Sequence, residues 1–141
     1  MVVRTSAAEW HGAVPDGSGT VSLGSGAFSG SYSFESRFEK GAGTNPEELL
    51  GAAHASCFSM ALSLLLTKAG YAPRQVETQA RVHIDRTNEG FAITLIELAT
   101  EAEVPGLDAK SFALHAQSAK TGCPVSKALA GVDIRLTASL R

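Results

Sequence analysis

Two cysteines, one histidine, one arginine and one glutamate are the side chains whose placement in this sequence could do chemistry. Cys57 and His54 lie in the run GAAHASCFSMA, residues 51–61, and Cys123 lies in GCPVS, residues 122–126. A thiol attacks as its thiolate, so a reactive cysteine needs a cationic neighbour or a helix N-terminus, and burial without either raises its pKa. Cys57 falls deep inside a long helical segment, beyond the first turn where the helix dipole acts. Any charge that activates it must come from elsewhere. Arg37 is the nearest candidate in sequence, being permanently cationic and placed on the polar side of a predicted strand; a plain surface arginine is the alternative. Glu47 suits the first turn of the helix through its charge alone. It precedes Cys57 by about 15 Å of rise on a straight helix, so the two meet only through a bend near Gly51, through Arg37, or through a partner chain. His54 stands one turn before Cys57, which admits a Cys–His couple. No Asp or Asn within the helix is placed to orient it, and a packed helical histidine is the simpler reading.

Cys123 has a different setting. With Pro124 following, it stands at the N-cap or first turn of a short helix, where backbone N–H groups and the dipole favour a thiolate. A thiol of low pKa is a good leaving group. A buried Cys57 and a capped Cys123 would suit an oxidation cycle in which one thiol becomes a sulfenic acid and the other condenses with it. Two structural cysteines remain the alternative at this point. A zinc site is the poorer reading, because the cysteines, His54 and His115 lack compact ligand spacing.

The elements that must position these groups follow from patterning. Ala8–Val14, Thr20–Leu23 and Ser31–Phe38 read as strands of a small meander separated by the turns PDGSG and GSGAFSG. KGAGTNPEE then leads into a long helix from Pro46 to about Ala69, with Thr44 or Asn45 as N-cap and Gly70 as its stop. Leu49, Leu50, Ala53, Cys57, Met60, Ala61, Leu64 and Leu65 form an apolar stripe, and Ala52, Ala55, Phe58, Leu62 and Leu66 carry apolar character round most of the circumference. Such a helix is expected to be buried on most sides. Gly51 and the neighbouring alanines allow close approach of backbone. Val76–Asp85 alternates cleanly and pairs with a return strand, Phe91–Val104, across TNEG. A helix from Leu107 to about Thr121, a short helix at 123–130 and a terminal strand, Val132–Leu140, complete the order. This is an α+β pattern, and the chain of 141 residues has the size of one domain, 1–141.

Composition narrows the function. The formal net charge is −2, from 12 Lys+Arg against 14 Asp+Glu, and no basic cluster carries aromatics, so no nucleic-acid partner is expected. A charged fraction of 18% is low for a monomer's surface and points to an oligomer. The start, MVVRTSAAEWHG, lacks a signal-like apolar region, and the run Phe58–Leu66 is too short to span a bilayer, so a cytoplasmic protein with no membrane partner is expected.

On five segments the chain resembles the OsmC/Ohr family, osmotically inducible protein and organic hydroperoxide resistance protein, and the OsmC branch most. These are RFE at 37–39, GTNPEELLGAAHASCFSMALS at 43–63, GFAIT at 90–94, VPGLDA at 104–109 and GCPVSKAL at 122–129. The resemblance implies an OsmC-like α+β domain with antiparallel-rich sheets packed around a long central helix, in an intertwined homodimer. It also implies thiol-dependent reduction of organic hydroperoxides, and more weakly of hydrogen peroxide, with no cofactor. By matching motifs, Cys57 is implied as the peroxidatic cysteine, Cys123 as the resolving one, and Arg37 and Glu47 as the pair that activates Cys57. A dithiol reductant of lipoyl type is implied as partner. Phe58 and Met60 are offered as pocket lining for an organic tail, against a plain core role. The competing readings are a dimeric binding protein for an apolar or lipid-like ligand, and a Cys–His acyl-transfer enzyme.

Overall fold

Short runs of alternating small and aromatic residues open the chain, and they fold as a three-stranded antiparallel sheet of order β1-β2-β3. The computed structural model describes residues 1–141. Strand β1 is Ser6–His11, β2 is Ser18–Leu23 and β3 is Ser29–Tyr32. The chain folds as two compact units, Met1–Leu49 and Leu50–Arg141.

In the N-terminal unit the expected strand over Ser31–Phe38 breaks at Tyr32. Phe34–Phe38 is instead a short helix, α1. The reason is local. Ser33 caps it, its hydroxyl accepting from the Ser36 N–H at 3.1 Å, while the Ser36 hydroxyl accepts from the Ser33 N–H at 2.8 Å. That reciprocal pair satisfies two otherwise orphaned donors. Phe34 and Phe38, which an extended chain would also place on one side, lie one turn apart with ring centroids at 5.1 Å. Arg37 therefore sits in the last turn of a helix and not on a strand.

Helix α2 spans Pro46–Lys68 as the capping signals predict. Asn45 is the cap, accepting from the Glu48 N–H at 2.8 Å, and Gly70 follows the helix with φ of 92°, a left-handed conformation that only glycine adopts at no cost. By length and composition this helix could cross a membrane, which the count from Phe58 to Leu66 alone missed. One face, however, is packed: His54, Phe58, Leu62 and Leu66 are all fully buried. This four-residue repeat, and not the stripe through Cys57, Met60 and Leu64, faces the core. Met60 is 78% and Leu64 53% exposed. Apolar character is spread so evenly round α2 that the sequence does not choose between the two faces, whereas the sheet does.

That sheet belongs to the C-terminal unit and has the order β4-β5-β6, from Gln75–Thr87, Gly90–Glu103 and Asp133–Leu140. Strands β4 and β5 form the expected hairpin, while β6 runs parallel to β5. Ile96, Leu98 and Ala102 of β5 meet the buried α2 stripe, and Phe112, Ala116 and Ala119 of α3, Ala109–Gly122, close the same core. At Gly51 the helix comes so near β4 that an added Cβ would sit 3.4 Å from Val82 Cγ2. The Ser59 hydroxyl donates to Thr78 Oγ1 at 2.7 Å, and Thr78 in turn shares a bond with the buried Thr100, so the polar atoms at the helix–sheet junction are paired. Each fully buried side chain of the stripe contributes about 1.5–3 kcal/mol. Leu62→Ala is therefore expected to lower stability by about 2–5 kcal/mol, read as a shift of the urea midpoint at constant m-value; a loss under about 1 kcal/mol would refute this assignment of the core face.

Candidate active site

The residues with chemical potential assemble as two couples, one in each unit. In the N-terminal unit α1 and the start of α2 are laced together by side-chain bonds to backbone. The Ser36 hydroxyl donates to the Thr44 carbonyl at 2.7 Å, and the Asn45 amide donates to the Ser36 carbonyl at 3.0 Å. Gly43 makes the approach possible: its φ is 114°, and a Cβ there would stand 2.6 Å from the Ser31 carbonyl oxygen. The lacing fixes Arg37 against Glu47. The guanidinium donates from Nε to both carboxylate oxygens, at 3.1 and 3.2 Å, and from Nη2 to Oε1 at 2.7 Å. Glu47 is buried while Arg37 is partly exposed. The clamp uses the Nε and Nη2 edge and leaves Nη1 outside it. The Arg37 Cζ also lies 5.2 Å from the Phe38 ring centroid, a cation–π distance.

Around this arginine is a cleft of about 270 Å³, lined by Trp10, Val14, Tyr32, Ser33, Phe34, Arg37 and Phe38. A larger one, about 630 Å³, is lined by Val3–Ser6 and Leu23–Ser25 and contains none of the reactive side chains. The smaller cleft joins a fixed cation to an aromatic wall, the usual make-up of a site for a small organic anion or a polarisable bond. Phe58, offered as pocket lining on sequence, is fully buried in the core and has no exposed surface to offer a ligand. The aromatic wall was missed because it joins Trp10 of β1 to Tyr32 of β3 and to Phe34 and Phe38 of α1, a meeting across elements that spacing does not show.

The second couple is the thiol pair. Cys57 and Cys123 are both free, and they are near enough for each thiol to shift the other's titration. Their exposures reverse the expectation: Cys57 is half-buried and Cys123 completely buried. Cys57 lies beside the buried stripe of α2 and not on it, and so is not sealed in the core. Cys123 is the N-cap of α4, Pro124–Ala128, as its sequence setting predicts. Its Sγ accepts from the Ser126 N–H at 3.3 Å and its thiol meets the Ser126 hydroxyl at 3.4 Å.

These settings divide the pair electrostatically. Burial pushes the Cys57 thiol up, a backbone bond from Val125 opposes that in part, and the neighbouring Cys123 thiol adds smaller upward contributions. Burial also pushes Cys123 up, yet the Ser126 hydroxyl, the Ser126 N–H, the Cys57 thiol and the Val125 N–H together outweigh it and leave Cys123 below the usual cysteine range. Within the C-terminal unit the thiolate belongs first to Cys123. Behind it, His54 Nε2 stands 2.8 Å from Ser126 Oγ, a contact that spans the sequence from α2 to α4 and that spacing could not disclose.

The family model described as OsmC-like protein matches residues 39–137. The chain belongs to this family. It is 54% identical over 123 residues to peroxiredoxin OsmC of Escherichia coli, covering 86% of each chain, and 34% identical over 99 residues to an organic hydroperoxide resistance protein of Xanthomonas axonopodis, covering 69% of this chain and 68% of that one. The higher identity places it in the OsmC branch. A solved organic hydroperoxide resistance protein from Elizabethkingia anophelis superposes with a TM-score of 0.74 at 25% identity and 99% coverage of both chains. The α+β OsmC fold with two sheets and a long helix is thus established, and the protein is a cysteine-based, peroxiredoxin-like enzyme.

In this OsmC chain the Arg37–Glu47 clamp is charge-assisted, forked and half sheltered. Separate and joint replacement of Arg37 and Glu47 by alanine is expected to yield a coupling energy of about 1 kcal/mol in urea unfolding. Strict additivity would show that the clamp holds nothing in place.

Proposed function

We propose that the protein reduces organic hydroperoxides, and more weakly hydrogen peroxide, through a Cys57 sulfenic acid that Cys123 resolves as a disulfide. The single observation that supports this reading best is the nearness of the two thiols, each of which shifts the other's titration. One belongs to a half-buried residue and the other caps a helix. In the first step the Cys57 thiolate attacks one peroxide oxygen, forming S–O as O–O breaks, and the alkoxide leaves as alcohol after taking a proton. In the second, the Cys123 sulfur attacks the Cys57 sulfur, forming S–S, and the hydroxyl leaves as water. A dithiol of lipoyl type then exchanges with the disulfide and returns both thiols.

The raised Cys57 pKa means that the first step needs a cation. We assign that role to Arg37, held in orientation by Glu47, with the aromatic cleft around the arginine receiving the organic substituent. Each buried CH₂ of such a tail is worth about 0.8 kcal/mol, which favours organic over inorganic peroxide. An intertwined homodimer would cover the exposed apolar face of α2 at Met60 and Leu64, and the chain would act in it as one domain, 1–141, in the cytoplasm. The relatives named for organic hydroperoxide resistance support the substrate class.

Mass spectrometry after one equivalent of cumene hydroperoxide tests the scheme. A Cys57–Cys123 disulfide is expected, reversed by a dithiol and absent in Cys57→Ser, which also loses turnover. Full turnover in Cys57→Ser would remove it as the nucleophile. In Arg37→Met the Cys57 titration, followed by thiolate absorbance in a Cys123→Ser background, is expected to move to higher pH. An unmoved titration would detach Arg37 from the sulfur.

A further inference from the structure

His54 occupies a position that packing alone does not explain. It continues the Phe58, Leu62, Leu66 stripe by one turn, is 0% exposed, and leaves its Nδ1 without a hydrogen-bond partner. A buried polar atom without a partner costs about 1–3 kcal/mol, which an apolar side chain at the same place would avoid. The ring's other nitrogen is not idle. Nε2 lies 2.8 Å from Ser126 Oγ, and that hydroxyl in turn lies 3.4 Å from the Cys123 sulfur. The three side chains form one line of hydrogen bonds that ends at the thiol which attacks in the second step.

We propose that His54, acting through Ser126, accepts the Cys123 proton when the disulfide closes. The inference rests on the peroxidase reading above and gives a use to a residue that reading leaves out. In the reduced state the Cys123 S–H points to Ser126 Oγ and the Ser126 O–H points to His54 Nε2, with the ring proton on Nδ1. On closure the thiol proton passes to the Ser126 oxygen as the Ser126 proton passes to Nε2. The sulfur electron pair so freed forms the S–S bond, and the S–O bond of the Cys57 sulfenic acid breaks. The hydroxide takes a proton from solvent and leaves as water, and the imidazolium later returns its proton to solvent. The balance is one thiol and one sulfenic acid giving one disulfide and one water, with Cys123 oxidised and Cys57 reduced. Ser126 touches the reacting sulfur; His54 is one hydroxyl removed and is a positioning residue.

Burial pushes the His54 imidazole below the usual histidine range, and no charged side chain contributes to that shift, so it stands neutral and ready to accept. The titratable groups joined in this cluster are His54 and Cys57 on α2 and Cys123 at the start of α4; Lys127 of α4 is exposed. General-base help of this type is worth at least about 10²-fold in rate.

The test is rapid-quench mass spectrometry on the reduced full-length protein after one equivalent of cumene hydroperoxide, resolving sulfenic acid from disulfide, across a pH series. His54→Gln and Ser126→Ala are each expected to slow the second phase about 10²-fold, and the slowing falls on that phase and not on the first. The variants' closure rate is expected to rise about tenfold per pH unit until Cys123 ionises unaided, where the wild-type rate is flat. Ser126→Thr, which keeps the hydroxyl, restores the wild-type profile. Equal closure rates, or a slowing that is the same at every pH, would overturn the relay and leave a purely structural histidine. Should His54→Gln fail to fold, Ser126→Ala carries the test alone. A wild-type protein that forms no Cys57–Cys123 disulfide would instead sink the peroxidase reading itself, an outcome separate from variants that match the wild type.

Discussion

A sulfur that caps a helix is held by N–H groups that do not move, and the chemistry of this protein depends on that fixed environment around Cys123. The Ser126 N–H and hydroxyl lower the Cys123 thiol while burial and the neighbouring sulfur raise Cys57. Two identical groups in contact are thereby made unequal. The inequality would suit the second half of a peroxide cycle, since a thiol of lowered pKa both gives up its proton and departs more readily. It does nothing for the first half. The C-terminal unit lowers one thiol unaided and raises its neighbour.

In the N-terminal unit Arg37 is held through Nε and Nη2 by a buried carboxylate. Each unit meets a different demand, one making two thiols unequal and the other holding a guanidinium rigid. A cation kept permanently against the sulfurs would stabilise both thiolates and erode the difference between them. The Glu47 pairing leaves Nη1 outside it, and the cleft around the guanidinium is walled by Trp10, Tyr32, Phe34 and Phe38.

Much of this was legible in the sequence because it is local. The N-cap role of Cys123 follows from Pro124 and the small helix after it, and the raised pKa of Cys57 follows from its depth inside α2, where burial outweighs any helix-end charge. Asn45 and Gly70 bracket α2 where their chemistry says they should. What was not legible depends on choices that tertiary packing makes. Tyr32, Phe34, Ser36 and Phe38 alternate as a strand would, yet Ser33 and Ser36 can cap each other, and a reciprocal cap plus an i,i+4 aromatic pair outweighs a two-residue period. The buried face of α2 could not be chosen from a helix apolar all round; the sheet took Phe58, Leu62 and Leu66, which left Met60 and Leu64 outward and Cys57 half open.

That same choice of face decides the place of His54. Counting back four residues from Phe58 puts the imidazole at the end of the core stripe, where the α2 surface passes from the sheet to the start of α4 and meets Ser126. Had the stripe through Cys57 and Met60 faced the core, His54 would have lain on its border and Cys57 would have been sealed. A single rotation of α2 therefore sets two properties together: Cys57 stays half-buried on the flank of the core stripe, and His54 is fully buried at its end, against the Ser126 that also holds the fully buried Cys123.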